Sequence, residues 1–437
     1  MTSFIMKEID NYWQLNACTD KGAWIIHKVP QHIRGIDNNC YEPVVLSIGP
    51  YHNQQQALLP MEKEKWKCLD FILKVNCKRS LLDYIKIVFG MESQVRKCYS
   101  ADTKLTRKQF VQMLLLDACF ILVKVDGTIQ RVNPQHMNND NTVGDWYSNA
   151  AWHDLFLLEN QIPLFVISSV FKLAVGESME STTVAIQIAE CVDDILRQFP
   201  KAAREPKRLE DFHHLLMSHV LQTKPPTESP QNMLPTRQID CFQGERLPSL
   251  WRQATHYHKA GVQLKRRYYN NNDRHSLLDI RFSRGVVEFP CFPIDENTES
   301  LFKNLIAFEQ ADPRFGDDVT AYIAFMSHLL TSPDDATLLV QEGIIVHMLD
   351  SDDDISALFT RLTKQITFDS ESNYYLKPLC LVLEAHYQSK MNRWMAWLWL
   401  NHFSNPWLAL AVLAAVIMLL CTVIQTYFTV LAYVQLP

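Results

Sequence analysis

The sequence lacks the motifs that mark common nucleotide enzymes and serine hydrolases. Neither a G-x-x-x-x-G-K-[ST] loop nor a G-x-G-x-x-G fingerprint occurs, and the chain of 437 residues has only 12 glycines. A G-x-S-x-G nucleophile elbow is also missing, since the nearest match, residues 176–180, ends in glutamate and follows no strand pattern. We therefore expect no catalytic motif, no cofactor and no metal ion.

Two further absences concern the compartment. The 11 cysteines include no C-x-x-C pair, and the chain has no N-x-[ST] glycosylation sequon. The first ten residues contain acidic side chains before an apolar signal region could begin. These observations predict reduced thiols and a cytosolic body.

Composition limits the class of protein. A hydrophobic content of 47% is sufficient for a large buried core, and the 393 residues before Trp394 are enough for roughly two to three domains. The formal net charge of −6 argues against a surface built to neutralise phosphates. We therefore expect no nucleic-acid partner.

The C-terminal segment has no acidic residue, lysine or arginine from Trp394 to Pro437. Because residues 407–427 are almost wholly apolar and a membrane span needs ~20 such residues, the segment predicts one transmembrane helix. Lys390 and Arg393 precede it, so the positive-inside rule leaves the bulk of the chain cytosolic, at the plasma membrane or an endomembrane. The alternative is a buried C-terminal helix of the globular body.

Periodicity elsewhere predicts a mainly α fold: a multi-helix globular body with a small β-hairpin, followed by the transmembrane helix. Thr106 and Gln109 form a capping-box pattern, so a helix should begin at Arg107. The alternating segments 278–282 and 286–289 predict the hairpin. Further helices are predicted at 183–199, 298–310, 319–331, 336–349 and 355–366.

Shifts in composition suggest the domain organisation. Proline and polar residues concentrate between two helical regions, which is typical of a linker. The predicted parts are an N-terminal extension (1–27), an N-terminal helical half (28–199), a proline-containing linker (200–247), a C-terminal helical half with the hairpin (248–393) and the aromatic-flanked anchor (394–437).

Two clusters resemble ligand sites. The acidic run 350–354 begins like a calcium loop, but Ile355 stands where the sharp turn requires glycine and Arg361 where glutamate should chelate, so a helix N-terminus is favoured. A second cluster could bind metal but fits a solvated helix face better; it consists of Glu210, His213, His214 and His219.

A basic and aromatic cluster occupies residues 265–269, with Arg274 nearby. Such a mixture is found in proteins that bind single-stranded nucleic acid. Because the cluster is short and the chain acidic, a surface patch or a contact with anionic lipid is the favoured interpretation.

Four acidic residues are candidates for acid–base chemistry because apolar neighbours predict burial: Asp117, Asp154, Glu159 and Asp279. Asp154 and Glu159 are five residues apart and do not share a helix face well, so capping or bridging of helices is the simpler role. Convergence of two or more of these carboxylates in a solvent-connected pocket would favour an enzyme.

Several segments together resemble one plant family, the domain of unknown function 247 proteins. The sequence VVLSIGPYH at 44–52 is similar to that family's opening motif, and DLFLLENQIP at 154–163 is similar to its "DLLLLENQIP" block. The chain departs from the pattern at Asn53 and Cys291. Other similar segments lie at 61–62, 65–66, 114–122, 260–262, 278–282, 294–299 and 304–310.

The resemblance implies a plant membrane protein without an established activity, and it supplies no catalytic residues. Some grass members of the family are linked to self-incompatibility loci as candidate pollen-side determinants. We therefore expect a recognition or signalling component with a protein or peptide partner, possible roles being pollen self-recognition and defence. The alternative is a membrane-tethered enzyme that uses the buried carboxylates.

Overall fold

The computed structural model of the chain gives a mainly helical fold with a few short strands. It describes residues 25–35, 38–125, 145–176, 251–269, 276–312, 316–364, 366, 368, 374–389 and 406–434. In chain order the described helices are α1 (Gln31–Arg34), α2 (Leu59–Val75), α3 (Leu81–Arg96), α4 (Arg107–Phe120), α5 (Asp145–Leu155), α6 (Leu164–Val175), α7 (Ala254–Lys259), α8 (Thr298–Ala311), α9 (Asp318–Leu329), α10 (Pro333–Gln341), α11 (Asp352–Thr363), α12 (Lys377–Gln388) and α13 (Pro406–Val434).

Helix α4 is the central helix of the N-terminal half. It begins at Arg107 as predicted, because the Thr106 hydroxyl accepts the Gln109 N–H while the Gln109 side chain accepts the Thr106 N–H. All its residues from Met113 to Phe120 are buried. Helices α2, α3 and α6 pack around it, which explains why it is apolar on nearly every face.

The predicted hairpin is confirmed. Strand β2 (Arg281–Ser283) pairs antiparallel with β3 (Val286–Phe289). Arg284 and Gly285 between them both have positive φ, as a tight two-residue hairpin turn requires. The sequence did not predict β1 (Gln263–Arg266), which pairs in parallel with β3 to complete a three-stranded sheet in the order β1-β3-β2.

The helix predicted at 336–349 is wrong in its second half. Helix α10 ends at Gln341, and Gly343 then takes a positive φ that leads the chain out of the helix. Strand β5 (Ile345–His347) follows and pairs in parallel with β4 (Phe292–Ile294). The hydrophobic run 344–346 is therefore a strand and its approach.

The acidic run 350–354 lies at a helix N-terminus, as predicted. Helix α11 begins at Asp352, where the Ser351 and Asp354 side chains form a capping box. The predicted helices at 298–310, 319–331 and 355–366 correspond to α8, α9 and α11 within a few residues.

One hydrophobic cluster runs through both halves of the described chain, from Ile26 to Leu383. Helix α8 belongs to the C-terminal half by sequence, yet it packs against the 3₁₀ turn Asn38–Tyr41 near the start of the described chain. The described cysteines, among them the buried Cys119 and Cys380, are free thiols.

The apolar C-terminal segment forms helix α13. No helix in the described parts of the chain has the length and the apolar character that a membrane crossing needs. This finding contradicts the predicted transmembrane anchor within 394–437 and the single-pass membrane localisation drawn from it.

Some sequence predictions lie outside the described residues. They are the N-terminal extension up to residue 24, the helix at 183–199, the linker at 200–247, the possible metal ligands Glu210, His213, His214 and His219, and Arg274 of the basic cluster.

Candidate functional site

Three of the four candidate carboxylates surround one segment, residues 44–52, which we call the anchored loop. Asp154, at the end of α5, holds its beginning. The Asp154 carboxylate accepts the backbone N–H groups of Val44, Val45 and Leu46 at 2.7–2.8 Å, and His153 Nδ1 lies 3.0 Å from the same group. Four donors match the number of lone pairs that a carboxylate offers. Asp154 is thus a fully occupied structural acceptor.

Asn160 holds the middle of the anchored loop. The Asn160 side chain accepts the Ile48 N–H at 2.7 Å and donates to the carbonyls of Leu46 and Asp154, both at 2.8 Å. Gln161 donates to carbonyls of its own loop. Both amides are completely buried, so their hydrogen bonds are needed to offset the cost of burial.

Gly49 is the point of closest backbone approach in this region. It has φ +77°, and a Cβ atom placed there would lie 2.3 Å from the Gln161 carbonyl oxygen. The Tyr99 hydroxyl donates to that same oxygen at 3.0 Å. Only glycine combines the left-handed backbone with the space available here.

Lys65 and Asp117 form a buried ion pair beneath the loop, with 2.7 Å between Lys65 Nζ and Asp117 Oδ1. Lys65 also donates to the Ser47 carbonyl and to Glu62, while Asp117 accepts the Gly49 N–H at 2.8 Å. Burial raises the pKa of Asp117 to about 6 despite the nearby ammonium group. Burial would lower the pKa of Lys65, but Asp117 and Glu62 outweigh it and raise that pKa. The pair is therefore ionised at neutral pH.

Glu159 holds the end of the anchored loop. Its carboxylate accepts the Val29 N–H at 2.6 Å, lies 2.6 Å from Arg34 and lies 3.4 Å from His52 Nε2. Glu42 contacts Arg34 and His52 from the other side. Burial alone would raise the pKa of Glu159, but the hydrogen bonds from His52 and Arg34 hold it below its usual range. Glu159 is therefore ionised, and its partners are Arg34 and His52.

Asp279 belongs to a different group. Its carboxylate contacts Arg267 at 3.0 Å, Arg281 at 2.8 Å and the Tyr269 hydroxyl at 3.4 Å. Arg267 and Tyr269 come from the predicted basic and aromatic cluster, so part of that cluster is used within the fold. Arg266 extends over the ring of the exposed Tyr268, at 5.3 Å from its centroid.

The four candidate carboxylates do not line a cleft that lies among other described residues. That cleft has a volume of about 240 Å³ and lies between α7 and α10. It is lined by Thr255, His258, Lys259, Asp334, Thr337, Leu338 and Gln341. Within the described chain, moreover, no group of three or more His, Cys, Asp or Glu side chains is arranged to hold a metal ion.

These charged and polar side chains hold the anchored loop in place. All the lone pairs of the Asp154 carboxylate are occupied, so its oxygens cannot also bind a substrate. Sequence reasoning identified Asp117, Asp154 and Glu159 as buried, but it missed their partners Arg34 and His52. Segments 44–52 and 65–66 were both part of the family resemblance. Their joint occurrence was the signal in the sequence that the loop and Lys65 belong to one site. Which donors meet which acceptors depends on contacts between residues far apart in sequence.

The comparisons with known proteins agree with these motifs. The family described as a plant protein of unknown function, DUF247, matches residues 26–421. A UPF0481 protein of Arabidopsis thaliana is 27% identical over 438 residues, covering 95% of this chain and 88% of its own length. A putative UPF0481 protein of the same plant is 21% identical, covering 92% of this chain and 89% of its own length.

No solved structure matches the chain. The family match spans both helical halves and includes the anchored loop, α4 and the Asp154–Gln161 segment that hold one another in place. The chain therefore belongs to the plant DUF247 family.

Proposed function

We propose that this protein is a non-enzymatic recognition component that binds a protein or peptide partner through its surface. The observation that carries the proposal is the occupation of its buried carboxylates. Asp154 has four donors, while Asp117 and Glu159 are each bound by a backbone N–H and a basic side chain. Such groups stabilise a scaffold, and the surface is then the part of the molecule available for function.

Exposed apolar side chains on that surface are available to contact a partner. They occur on three separate elements: Phe89 on α3 is 47% exposed, Tyr268 after β1 is 82% exposed and Met348 after β5 is 72% exposed. Aromatic residues and methionine are enriched in protein interfaces. The family resemblance makes pollen self-recognition the first process in which to seek the partner, and defence signalling the second.

The test is site-specific photo-crosslinking in plant cells. Benzoylphenylalanine replaces Phe89, Tyr268 or Met348 in the full chain, and any crosslinked protein is purified and titrated against the wild-type chain by calorimetry. We expect at least one position to crosslink a protein that then binds saturably with defined stoichiometry. Absence of a saturable partner from all three positions would contradict the proposal.

An enzymatic alternative rests on Asp117, because a pKa of about 6 suits proton transfer near neutral pH. It requires substrate to reach a side chain that is completely buried and paired with Lys65. Turnover of a small molecule by the purified chain, lost in a folded Asp117→Asn variant, would establish it in place of the recognition proposal.

A further inference from the structure

Helix α3 carries an apolar stripe that is partly exposed in the described structure. Leu82 and Ile85 are 56% and 38% exposed, and together with Phe89 they occupy positions i, i+3 and i+7 on one side of the helix. The adjacent side carries the buried Tyr84 and Val88 and packs against α4 and α6. The outer apolar stripe is therefore not needed to hold the helix on the core.

The charges around this stripe are mainly positive. Lys86 is exposed beside Ile85, and the Arg107 guanidinium lies 4.1 Å from the centroid of the Phe89 ring. The two acidic residues of α3 are used within the fold: Asp83 closes the N-terminal capping box, and the buried Glu92 contacts Arg96 and Arg107. Exposed basic residues also flank the helix at Lys78, Arg79 and Lys97.

Gly90 adds a second, independent observation. It lies in the interior of α3, directly after Phe89, and is exposed; a Cβ atom there would have no neighbour within 4 Å. Glycine in a helix interior costs about 0.5–1 kcal/mol relative to alanine, and nothing in the fold requires it here. The absence of a side chain at Gly90 would allow the backbone of a partner to approach this surface closely.

We propose that the exposed stripe of α3, formed by Leu82, Ile85 and Phe89 with Gly90 at its edge, docks an acidic amphipathic helix of a partner protein. Apolar side chains of that helix would pack on the stripe, and its carboxylates would face Lys86 and the exposed basic residues that flank α3. A helical partner fits because it satisfies its own backbone hydrogen bonds, and the side of a helix offers it none. Docking the same face of a second copy would bring like charges together. This inference rests on the proposed function and specifies its partner.

The test uses two peptide display libraries of about 18 residues, or roughly five helical turns. Apolar residues vary at positions i, i+3, i+4 and i+7 in both libraries, while the remaining positions are rich in glutamate in one and in lysine in the other. Each library is selected against the full chain, and affinities are measured by fluorescence anisotropy. We expect binders from the acidic library, with affinity reduced about tenfold or more by Phe89→Ser and by Lys86→Glu.

Two further variants separate docking from folding. Val346→Ser removes a similarly exposed apolar side chain, 51% exposed on β5, and should leave peptide affinity unchanged. Gly90→Ala should raise Tm and yet weaken peptide binding, a combination that damage to the fold cannot produce. The proposal would be overturned if Phe89→Ser left the affinity of the acidic peptides unchanged. It would also be overturned if the glutamate-rich library yielded no more binders than the lysine-rich one.

An anionic membrane is the competing explanation for a basic, apolar face. Binding to vesicles of phosphatidylcholine with phosphatidylserine tests this explanation. Vesicle binding lost in Phe89→Ser, without peptide binders, would overturn the docking proposal. Crosslinking from Tyr268 or Met348 but not from Phe89 would reject this surface while leaving the recognition function intact.

Discussion

In the anchored loop, Gly49 is a position that does not tolerate a side chain. A Cβ atom would meet the Gln161 carbonyl oxygen at 2.3 Å, on a backbone with φ +77°. Gly316 has the same φ, but a Cβ atom there would have nothing within 4 Å. The two positions therefore separate the cost of steric overlap from the cost of the left-handed backbone.

We predict that Gly49→Ala lowers the free energy of unfolding by about 3 kcal/mol or more, and Gly316→Ala by about 1–2 kcal/mol. The difference reflects the displacement of the Gln161 backbone. Urea unfolding of both variants measures it. Equal losses at the two positions would mean that the loop shifts freely and is not held as described.

The Lys65–Asp117 pair gives a second prediction at this scale. Lys65→Met leaves the Asp117 carboxylate buried without its cation, and such uncompensated charges cost about 3–5 kcal/mol. Replacing Asp117 by asparagine in the same chain removes the charge but keeps an acceptor for the Gly49 N–H. We expect the double variant to recover part of the loss in chemical denaturation.

The exposed ion pair Lys74–Asp70 is the control for that experiment. Its side chains are more than half exposed, so Lys74→Met should change stability by less than about 1 kcal/mol. If Lys65→Met were equally mild, water would have to reach Asp117, and the buried pair would not be the anchor that we describe.

At the scale of elements, local signals were predictable and distant pairings were not. The Thr106 capping box placed the start of α4 because its residues are three apart, and the hairpin at 281–289 was evident because its strands are adjacent. Strand β1 was missed because its parallel partner β3 lies about twenty residues away. Likewise, the burial of Asp154 was predicted, but not its bonds to Val44, Val45 and Leu46, which are 108 to 110 residues distant.

Glu309 connects two elements and should make stability depend on pH. From α8 it accepts the Val319 and Thr320 N–H groups at the N-terminus of α9, both at 2.8 Å. Burial raises the pKa of Glu309 to about 7, although the hydrogen bonds from Thr320 and Val319 lower it. The folded state thus binds an extra proton between about pH 4 and pH 7.

Because the folded pKa is raised, the stability linked to Glu309 is complete below pH 4 and is lost as pH rises through 7, by roughly 3 kcal/mol in all. We predict that Glu309→Gln loses less stability than the wild type between pH 5 and pH 8, measured by urea unfolding. Glu384→Gln is the control. Arg252 and Gln388 outweigh the effect of burial and lower the pKa of Glu384, so its titration falls below this window.

For the whole molecule, the described core is continuous, and α8 provides its polar connection between the two halves. Asn304 donates to the Cys40 carbonyl at 2.8 Å and accepts the Leu158 N–H at 2.9 Å, while Ser300 also donates to Cys40. These bonds span more than 140 residues of sequence. The predicted division into halves at 28–199 and 248–393 stays a prediction, and its energetic meaning depends on whether the halves unfold separately.

We predict that they unfold together. Asn304→Ala leaves the buried Leu158 N–H without its acceptor and removes one of the two donors to the Cys40 carbonyl, which should cost about 1–3 kcal/mol. If the chain is one cooperative unit, native-state hydrogen exchange should accelerate by the same factor in α4 of the first half and α9 of the second, since both would open only in global unfolding. Acceleration confined to α8 and its neighbours would instead show that the two halves are separate folding units that share a packed surface.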